Sequence, residues 1–242
     1  MPTIAWSDVV TFFPVLLKGL GMSIFLTIII MSLSLILALF VALARLSKVR
    51  WIRVPVTAYV QIIRGTPALV QIYYIFYVFP FFGFTLNAIP AGILGLTLNY
   101  AAYLSEVYRA AIQAIPTGQT EASTALNLSK VQTLIFVILP QAWRIMLPPV
   151  INYLLGLLKD TSLLSLITIQ ELMFSGLLLA SVTFKYFTAL TMVALFYFVV
   201  CYPISILADW LERKMRPEEY PGQGKPTRRA WMTKLHDPRV AQ

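Results

Sequence analysis

Residues 115–140 have the sequence IPTGQTEASTALNLSKVQTLIFVILP, and their first half is small and polar although strongly apolar segments lie on both sides. The alanines of this half favour a short helix, with Glu121 in its first turn, where the helix dipole stabilises a carboxylate. Asn127 is typical of a helix end, because Asn tolerates the left-handed conformation just beyond a C-terminus. Ser129 and Gln132 have the spacing of a capping box, which starts the next helix. The stretch therefore predicts two short helices with a break at Asn127, in a loop between membrane spans.

The composition is that of an integral membrane protein. Hydrophobic residues make up 59% of the 242 residues and charged residues 12%, and the mean hydropathy of +0.77 is too high for a soluble domain. Residues 19–44 and 186–208 contain no charged side chain, and each segment is long enough to cross a bilayer. Residues 65–105 are also uncharged but contain three prolines, which predicts two spans and a connection. We therefore expect an all-α integral membrane protein.

The apolar segments predict five transmembrane helices. Their expected positions are about residues 19–46, 67–82, 90–112, 140–158 and 187–211. Basic residues are concentrated at positions 45–53 and 213–239, and the positive-inside rule places both regions in the cytoplasm. The N-terminus is then outside and the C-terminus inside.

Three parts of the chain are expected. Residues 1–18 have an apolar stripe at helical spacing and predict an interfacial amphipathic helix. Residues 19–212 form the transmembrane domain, and residues 213–242 a basic cytoplasmic tail. Within the domain, residues 54–63 are either the first part of the second span or an interfacial lead-in to it. Residues 163–180 are apolar but interrupted, and predict short helices near the outer face.

Two short signals refine these boundaries. Thr66 is a candidate helix cap and Pro67 a candidate first helical residue, because the proline nitrogen lacks only a donor that has no partner there. Gln170, Glu171 and Gly176 are expected to interrupt the helices of residues 163–180.

The stretch that begins at Glu121 resembles the cytoplasmic EAA loop of the permease subunits of ATP-binding-cassette (ABC) importers. In that loop Glu-Ala-Ala is followed after three residues by Gly and, nine residues later, by Ile-x-Leu-Pro. The matching residues here are Glu121, Ala122, Ser123 and Asn127, followed by Val137, Ile138, Leu139 and Pro140. Ser replaces Ala at position 123 and Asn replaces Gly at position 127. Both are small or compatible with a turn, so we expect the shape of the loop to be kept.

Further segments are similar to the polar amino-acid uptake branch of the same family. They are residues 64–67 (RGTP), 99–106 (NYAAYLSE), 115–119 (IPTGQ) and 159–163 (KDTSL). With the EAA loop they occur in the expected order, and the resemblance covers about residues 18–214.

The resemblance implies a type I ABC importer permease with five transmembrane helices and a coupling-helix loop at residues 115–140, in a bacterial inner membrane. The implied partners are a dimer of ATPase subunits, a second permease subunit, an extracytoplasmic solute-binding protein and membrane lipid. ATP and Mg would bind to the ATPase, leaving no cofactor on this chain, and the substrate would be a polar amino acid or a close derivative. The residues implied to couple to the ATPase are Gly118, Glu121, Ala122, Ser123, Asn127 and Pro140.

A first polar stripe lies in the predicted third span. Asn99, Tyr103 and Glu106 are spaced i, i+4 and i+7 and so share one helix face. Because polar groups at membrane depth are costly, such a face points into the protein or a wet cavity. Glu106 either lines the substrate pathway or pairs with Arg109 to hold the helices together.

A second polar stripe lies in the predicted fourth span. It consists of Asn152, Tyr153, Gly156 and Asp160, with Lys159 beside it. Asp160 and Lys159 match the ammonium and carboxylate of an amino acid, or alternatively pair with each other. In members of the family that take basic amino acids the position of Tyr153 can be acidic, so Tyr argues against a cationic substrate.

Two further polar residues flank the start of the second span. Gln71 is one helical turn from Pro67 and is a candidate lining residue of the substrate pathway. Arg64 is expected to brace the cytoplasmic side through backbone carbonyls or lipid phosphate.

Other functional classes find no support in the sequence. GxxxxGK[ST], HExxH and GxSxG motifs are absent, so we expect neither catalytic residues nor an enzyme. A single Cys and a single His provide neither a disulfide framework nor a metal site. The net charge of +9 reflects the positive-inside rule and implies no nucleic-acid partner. The alternative function is a stand-alone secondary transporter coupled to H⁺ or Na⁺ through Glu106 and Asp160, which would leave residues 115–140 without a role.

Overall fold

A computed structural model describes residues 5–215, and within this range all regular secondary structure is helical. The α-helices are α1 (Trp6–Leu46), α2 (Arg50–Arg64), α3 (Ala68–Tyr73), α4 (Ala88–Gln113), α5 (Thr117–Ala125), α6 (Lys130–Gln132), α7 (Leu139–Asp160), α8 (Leu172–Thr183) and α9 (Tyr186–Met215). A π-helix, Tyr74–Val78, and a 3-10 helix, Phe79–Phe82, extend α3. A second π-helix, Thr133–Ile138, joins α6 to α7, and a 3-10 turn, Thr161–Ile167, follows α7.

Helix α1 is continuous through the predicted boundary at residue 18. Pro14 lies inside the helix, where it removes one hydrogen bond without ending a helix that is apolar on both sides. Gly19 does not break α1 either, because it packs against α8. The prediction of a separate helix that ends at residue 18 is therefore wrong. Residues 1–4 of that predicted helix lie outside the described range. The predicted tail begins inside α9, which extends to Met215, and its remainder also lies outside that range.

A bend of 108° separates α2 from the α3 segment. Residues 54–63 therefore lie in a helix that is separate from α3. Thr66 does not cap α3, because its hydroxyl donates to the Ile62 carbonyl at 2.9 Å. Pro67 occupies the N-cap position and α3 begins at Ala68. The bend is stabilised by Gln71, whose amide nitrogen donates to the carbonyls of Ile63 (2.8 Å) and Thr66 (3.1 Å).

Helix α4 occupies the centre of the bundle and contacts α1, α2, α3 and α7. Small residues bring it close to its neighbours, as is common between membrane helices. At Gly92 an added Cβ would lie 2.8 Å from the Leu164 side chain, and at Gly95 it would lie 3.2 Å from Ile72. Of the polar stripe predicted in this helix, Asn99 is buried, whereas Tyr103 and Glu106 are half-buried.

Helix α8 begins at a buried carboxylate. Glu171 is 0% exposed and caps α8 by accepting the backbone N–H groups of Met173 (2.9 Å) and Phe174 (2.7 Å). The hydroxyls of Ser23 in α1 and Tyr197 in α9 also donate to it, each at 3.2 Å. The break predicted near Gln170 and Glu171 is thus present.

Gly176, by contrast, was expected to interrupt this region but lies inside α8. There it allows Val193 of α9 to approach, since an added Cβ would lie 2.2 Å from the Val193 side chain. Close packing therefore explains this glycine better than a helix end does.

In the described residues, three helical segments are long and apolar enough to cross a membrane, and the bent pair α2–α3 is a candidate fourth. Helix α4 is not among them, because Asn99, Glu106 and Arg109 lower its hydropathy. The architecture is all-helical as predicted, and the count of five transmembrane helices stays a prediction.

Candidate functional site

The segment between α4 and α7 has the local structure that the sequence predicts. Asn127 has a φ of 55°, in the left-handed region. The Asn127 N–H donates to the Thr124 carbonyl (2.9 Å) and the Leu128 N–H to the Ser123 carbonyl (3.0 Å). These two bonds form a Schellman motif at the end of α5. Ser129 then forms the predicted capping box with Gln132. Two successive caps therefore fix the angle between α5 and the following helix.

Two details of this segment differ from expectation. Helix α5 begins at Thr117, so Glu121 lies in its second turn and not in the first. Stabilisation by the helix dipole, which acts mainly on the first turn, therefore does not apply to Glu121. Pro140 is the second residue of α7 and lies within a helical run that begins at Lys130, so the loop ends before residue 140.

The surface of α5 is almost entirely exposed. Gly118, Glu121 and Ala122 are exposed, and a Cβ added at Gly118 would meet nothing within 4 Å. Ser123 is the buried member, and its hydroxyl donates to the Gln119 carbonyl at 2.7 Å. Just beyond α5, Leu126 is 74% exposed. The segment is thus a rigid projection with small polar and apolar groups on its surface.

A cluster of three arginines surrounds Glu106. One carboxylate oxygen accepts a hydrogen bond from Arg45 of α1, and the other accepts one from Arg109 at 2.5 Å. Arg64 of α2 lies 3.9 Å from the first oxygen. The pairing of Glu106 with Arg109 that the sequence left open is present, and Arg45 and Arg64 add two further cations. The cluster has three positive charges and one negative charge.

Arg64 and Glu106 line a cavity of about 430 Å³ between α2, α4 and α7. Tyr103 and Tyr153 form its aromatic part, with ring centroids 6.0 Å apart. The Arg64 guanidinium carbon lies 5.7 Å from the Tyr103 ring centroid, within the range of a cation–π contact. The remaining lining is apolar and includes Ala110, Ile145 and Pro149.

The second polar stripe divides between the bundle interior and the surface. Asp160 accepts a hydrogen bond from the Tyr100 hydroxyl at 2.8 Å. Gly156 makes room for that hydroxyl, because an added Cβ would lie 3.2 Å from it. Asn152 and Lys159 are exposed, and no ion pair joins Lys159 to Asp160 in the range that the structure describes. The Lys–Asp pair considered from the sequence is thus replaced by a tyrosine–carboxylate pair between α4 and α7.

Asn99 and Gln71 lie away from the cavity lining. The Asn99 amide donates to the Gln71 side-chain oxygen at 3.0 Å, and Gln71 in turn bonds to the α2–α3 bend. Of the predicted pathway residues, the structure therefore brings Tyr103, Glu106 and Tyr153 to one cavity and Asn99 and Gln71 to the bend.

A larger groove of about 1110 Å³ opens at the other end of the bundle, near the start of α1 and α4. Lys18 is the one charged residue in its lining. The smaller cavity is the better candidate for a polar ligand, because it combines charged and aromatic groups.

The contacts of Arg45 and Arg64 with Glu106 were not predicted, since the three residues are far apart in the chain. One signal was available: Glu106 is the first acidic residue after Asp8, whereas six basic residues precede it at positions 18–64. Such an isolated acid is a natural partner for several cations.

The chain belongs to a family of ABC importer permeases. Residues 34–217 match the family described as the binding-protein-dependent transport system inner membrane component. Among similar proteins, the L-cystine transport system permease of Bacillus subtilis (strain 168) is 40% identical over 206 residues, which is 85% of this chain and 88% of that protein. A probable amino-acid ABC transporter permease of the same organism is 37% identical over 202 residues, covering 84% and 89%.

Solved structures agree with this assignment. The structure described as an amino acid ABC transporter with histidines has a TM-score of 0.81 and 33% identity, covering 88% of this chain and 99% of that chain. The MetNI methionine ABC transporter in an inward-facing conformation has a TM-score of 0.67 at 20% identity, covering 84% and 97%, and shows a shared fold.

Membership of this family confirms several predictions made from the sequence. The chain is a multi-pass inner-membrane permease subunit and not an enzyme, and ATP hydrolysis takes place on a separate subunit. Permeases of this family work with an ATPase and a binding protein. The ABC importer is thereby supported over the secondary transporter that Glu106 and Asp160 had suggested.

Proposed function

We propose that this permease subunit imports a polar amino acid or a close derivative across a bacterial inner membrane. The relatives named for L-cystine and for amino acids support this substrate class. ATP and Mg would bind to two ATPase subunits, and an extracytoplasmic binding protein would deliver the substrate. Two permease subunits, identical or related, would form the pathway.

The observation that most strongly supports coupling to an ATPase is the rigid projection of α5. Its residues Gly118, Glu121 and Ala122 are available to a partner, and Asn127 fixes its angle to the next helix. Because α5 follows α4 directly, and the C-terminal part of α4 contacts Arg45, the projection is at the basic end of the bundle. By the positive-inside rule, α5 would lie in the cytoplasm and the N-terminus outside.

Coupling requires that ATP binding favour one state of the permease. A ligand shifts an equilibrium only by its difference in affinity for the two states. ATPase closure would displace α5, and the capped junction at Asn127 and Ser129 would transmit that displacement to α7. Because α7 provides Ile145, Pro149 and Tyr153 to the lining, this movement would alter the cavity.

The substrate pathway is proposed to include the cavity beside Glu106. Tyr103, Glu106 and Tyr153 would face the substrate, and Asp160, one layer further along α7, would join them when Tyr100 moves. Gln71 and Asn99 would hold the α2–α3 bend. Asn152 and Lys159, exposed in this subunit, would belong to the pathway only where a second permease subunit faces them.

Co-purification with the ATPase, followed by reconstituted uptake, tests this function. The tagged permease is isolated in mild detergent from its host, and wild type is compared with Glu121→Lys and Gln61→Lys. The control Gln61→Lys introduces a lysine at an exposed site on α2 and raises the net charge by one, whereas Glu121→Lys raises it by two. We expect an ATPase with a phosphate-binding loop to accompany wild type and the control, and to be lost with Glu121→Lys.

With the binding protein added outside the liposomes, the reconstituted complex should accumulate radiolabelled L-cystine or L-glutamine only when ATP is present inside with the ATPase. A permease that purifies alone and moves these solutes down an ion gradient without ATP would contradict the proposal.

A further inference from the structure

Of the three arginines in the cluster, Arg64 is the one that forms no hydrogen bond with Glu106. The two oxygens of Glu106 already accept hydrogen bonds from Arg45 and Arg109. Arg64 is 3.9 Å away, which is longer than a hydrogen bond. The side chain of Arg64 is 44% exposed, against 12% for Arg45. One guanidinium therefore retains donors for another anion.

These donors border the cavity. Arg64 lines it together with Tyr103 and Tyr153, and its guanidinium lies over the Tyr103 ring. From the sequence, Lys159 is a candidate to bind a substrate carboxylate. In the structure Lys159 is exposed and does not line this cavity. The cation available to a ligand in the cavity is thus Arg64.

The charge around the cavity is unbalanced. Glu106 is the acidic residue in its lining, and two closer arginines neutralise that carboxylate. Asp160 does not line the cavity and is hydrogen-bonded to Tyr100. A ligand therefore meets an excess of positive charge, which attracts a carboxylate and repels a second cation.

We propose that Arg64 binds the α-carboxylate of the substrate in this cavity, and that the site selects amino acids with neutral or acidic side chains over those with cationic ones. This inference rests on the proposed amino-acid uptake. A planar guanidinium matches a carboxylate with two parallel hydrogen bonds. The Tyr153 ring offers a face to the ammonium group. The cavity volume of about 430 Å³ is in the usual range of small-molecule sites.

Direct binding to the purified permease–ATPase complex, without the binding protein, tests the inference. Omitting the binding protein matters because its own selectivity would otherwise mask that of the membrane site. The probes are L-glutamine, L-cystine, L-lysine and the carboxamide of L-glutamine, which lacks the carboxylate. In wild type we expect L-glutamine or L-cystine to bind about ten-fold or more tightly than L-lysine and the carboxamide, the factor that loss of one charge-assisted hydrogen bond gives.

Two substitutions assign the effect to Arg64. Arg64→Gln should weaken binding of the preferred amino acid by about ten-fold or more and abolish the preference for the carboxylate over the carboxamide. Arg64→Lys keeps the charge but not the planar donor pair, and should give an intermediate result. Arg53→Gln removes an exposed arginine of the same helix that does not line the cavity, and should bind like wild type.

Each outcome decides a separate question. Equal binding of L-glutamine and its carboxamide by wild type would overturn the inference without any variant, even if Arg64→Gln did not fold. An unchanged affinity of folded Arg64→Gln for L-glutamine or L-cystine would also overturn the inference. If the wild-type complex still showed ATP-driven uptake, the proposed function would remain supported. A wild-type complex that binds none of the four probes overturns the inference, and uptake without ATP overturns the proposed function as well.

Discussion

The contact between α1 and α8 at Gly19 leads to a sharp prediction. An alanine Cβ at this position would lie 2.6 Å from the Ser175 hydroxyl, 3.0 Å from the Glu171 carbonyl oxygen and 3.0 Å from the Leu172 Cα. Two of these atoms are backbone and cannot rotate away. Gly21, half a turn further along the same helix, has nothing within 4 Å of its Cβ position. Gly19→Ala and Gly21→Ala therefore form a matched pair.

The two substitutions should change the free energy of unfolding in opposite directions. Overpacking at Gly19 costs about 1–3 kcal/mol, because α1 and α8 must move apart by a few tenths of an ångström. Replacement of an exposed helical glycine by alanine gains about 0.5–1 kcal/mol. The difference of about 3 kcal/mol corresponds to a gap of about 6–12 °C in melting temperature for a chain of this size.

A thiol-reactive fluorescent dye measures this gap in detergent. Cys201 is the single cysteine of the sequence and is half-buried in the folded chain, so its reaction with the dye reports unfolding. Gly21→Ala should melt at or slightly above the wild-type temperature, and Gly19→Ala clearly below it. If Gly19→Ala melts as high as Gly21→Ala, the close packing of α1 on α8 and the reasoning from it are wrong.

Three further predictions concern single side chains. Glu171→Ala should lower stability by about 3 kcal/mol in the same dye assay, because it removes the acceptor that four donors share, and Glu171→Gln should lower it less. Asn127→Gly should leave the free energy of unfolding unchanged. Asn127→Val should lower it by about 1–2 kcal/mol, since a branched residue resists a positive φ. Asn127→Val should also reduce co-purification of the ATPase. Tyr100→Phe removes the hydrogen bond to Asp160 and should cost about 2 kcal/mol. Tyr108→Phe, on the same helix and without a hydrogen bond in the described structure, should cost less than half of that, and equal losses would contradict this assignment.

The segment around Asn127 was predictable because its determinants are local. A left-handed residue and a capping box each depend on side chains within a few positions of the helix end. The start of α5 was less well placed: Pro116 takes the N-cap position, so the helix begins four residues before Glu121. Local signals thus determined that two helices exist but not where the first one begins.

The cavity was only partly predictable because its charges come from distant parts of the chain. Helical spacing correctly placed Tyr103 and Glu106 on one face of α4. It had no information on which helix lies opposite, so the sequence predicts that Arg64 braces the cytoplasmic side and that Gln71 lines the pathway. The 108° bend between α2 and α3 turns Gln71 back toward the α2 carbonyls, and Arg64 lines the cavity beside Glu106. Contacts that depend on such a bend do not appear as a periodic pattern in a single sequence.

The bonds of Glu171 have a consequence for the order in which the chain is assembled. Its carboxylate joins Ser23 of the first helix to Tyr197 of the last, and Tyr197 is synthesised 26 residues after it. While the growing chain ends before Tyr197, the carboxylate lacks one of its donors and is costly to keep in lipid. Stable insertion of α8 should therefore wait for α9. A chain truncated just before Tyr197 and released from the ribosome should expose α8 to protease, and one truncated after α9 should protect it.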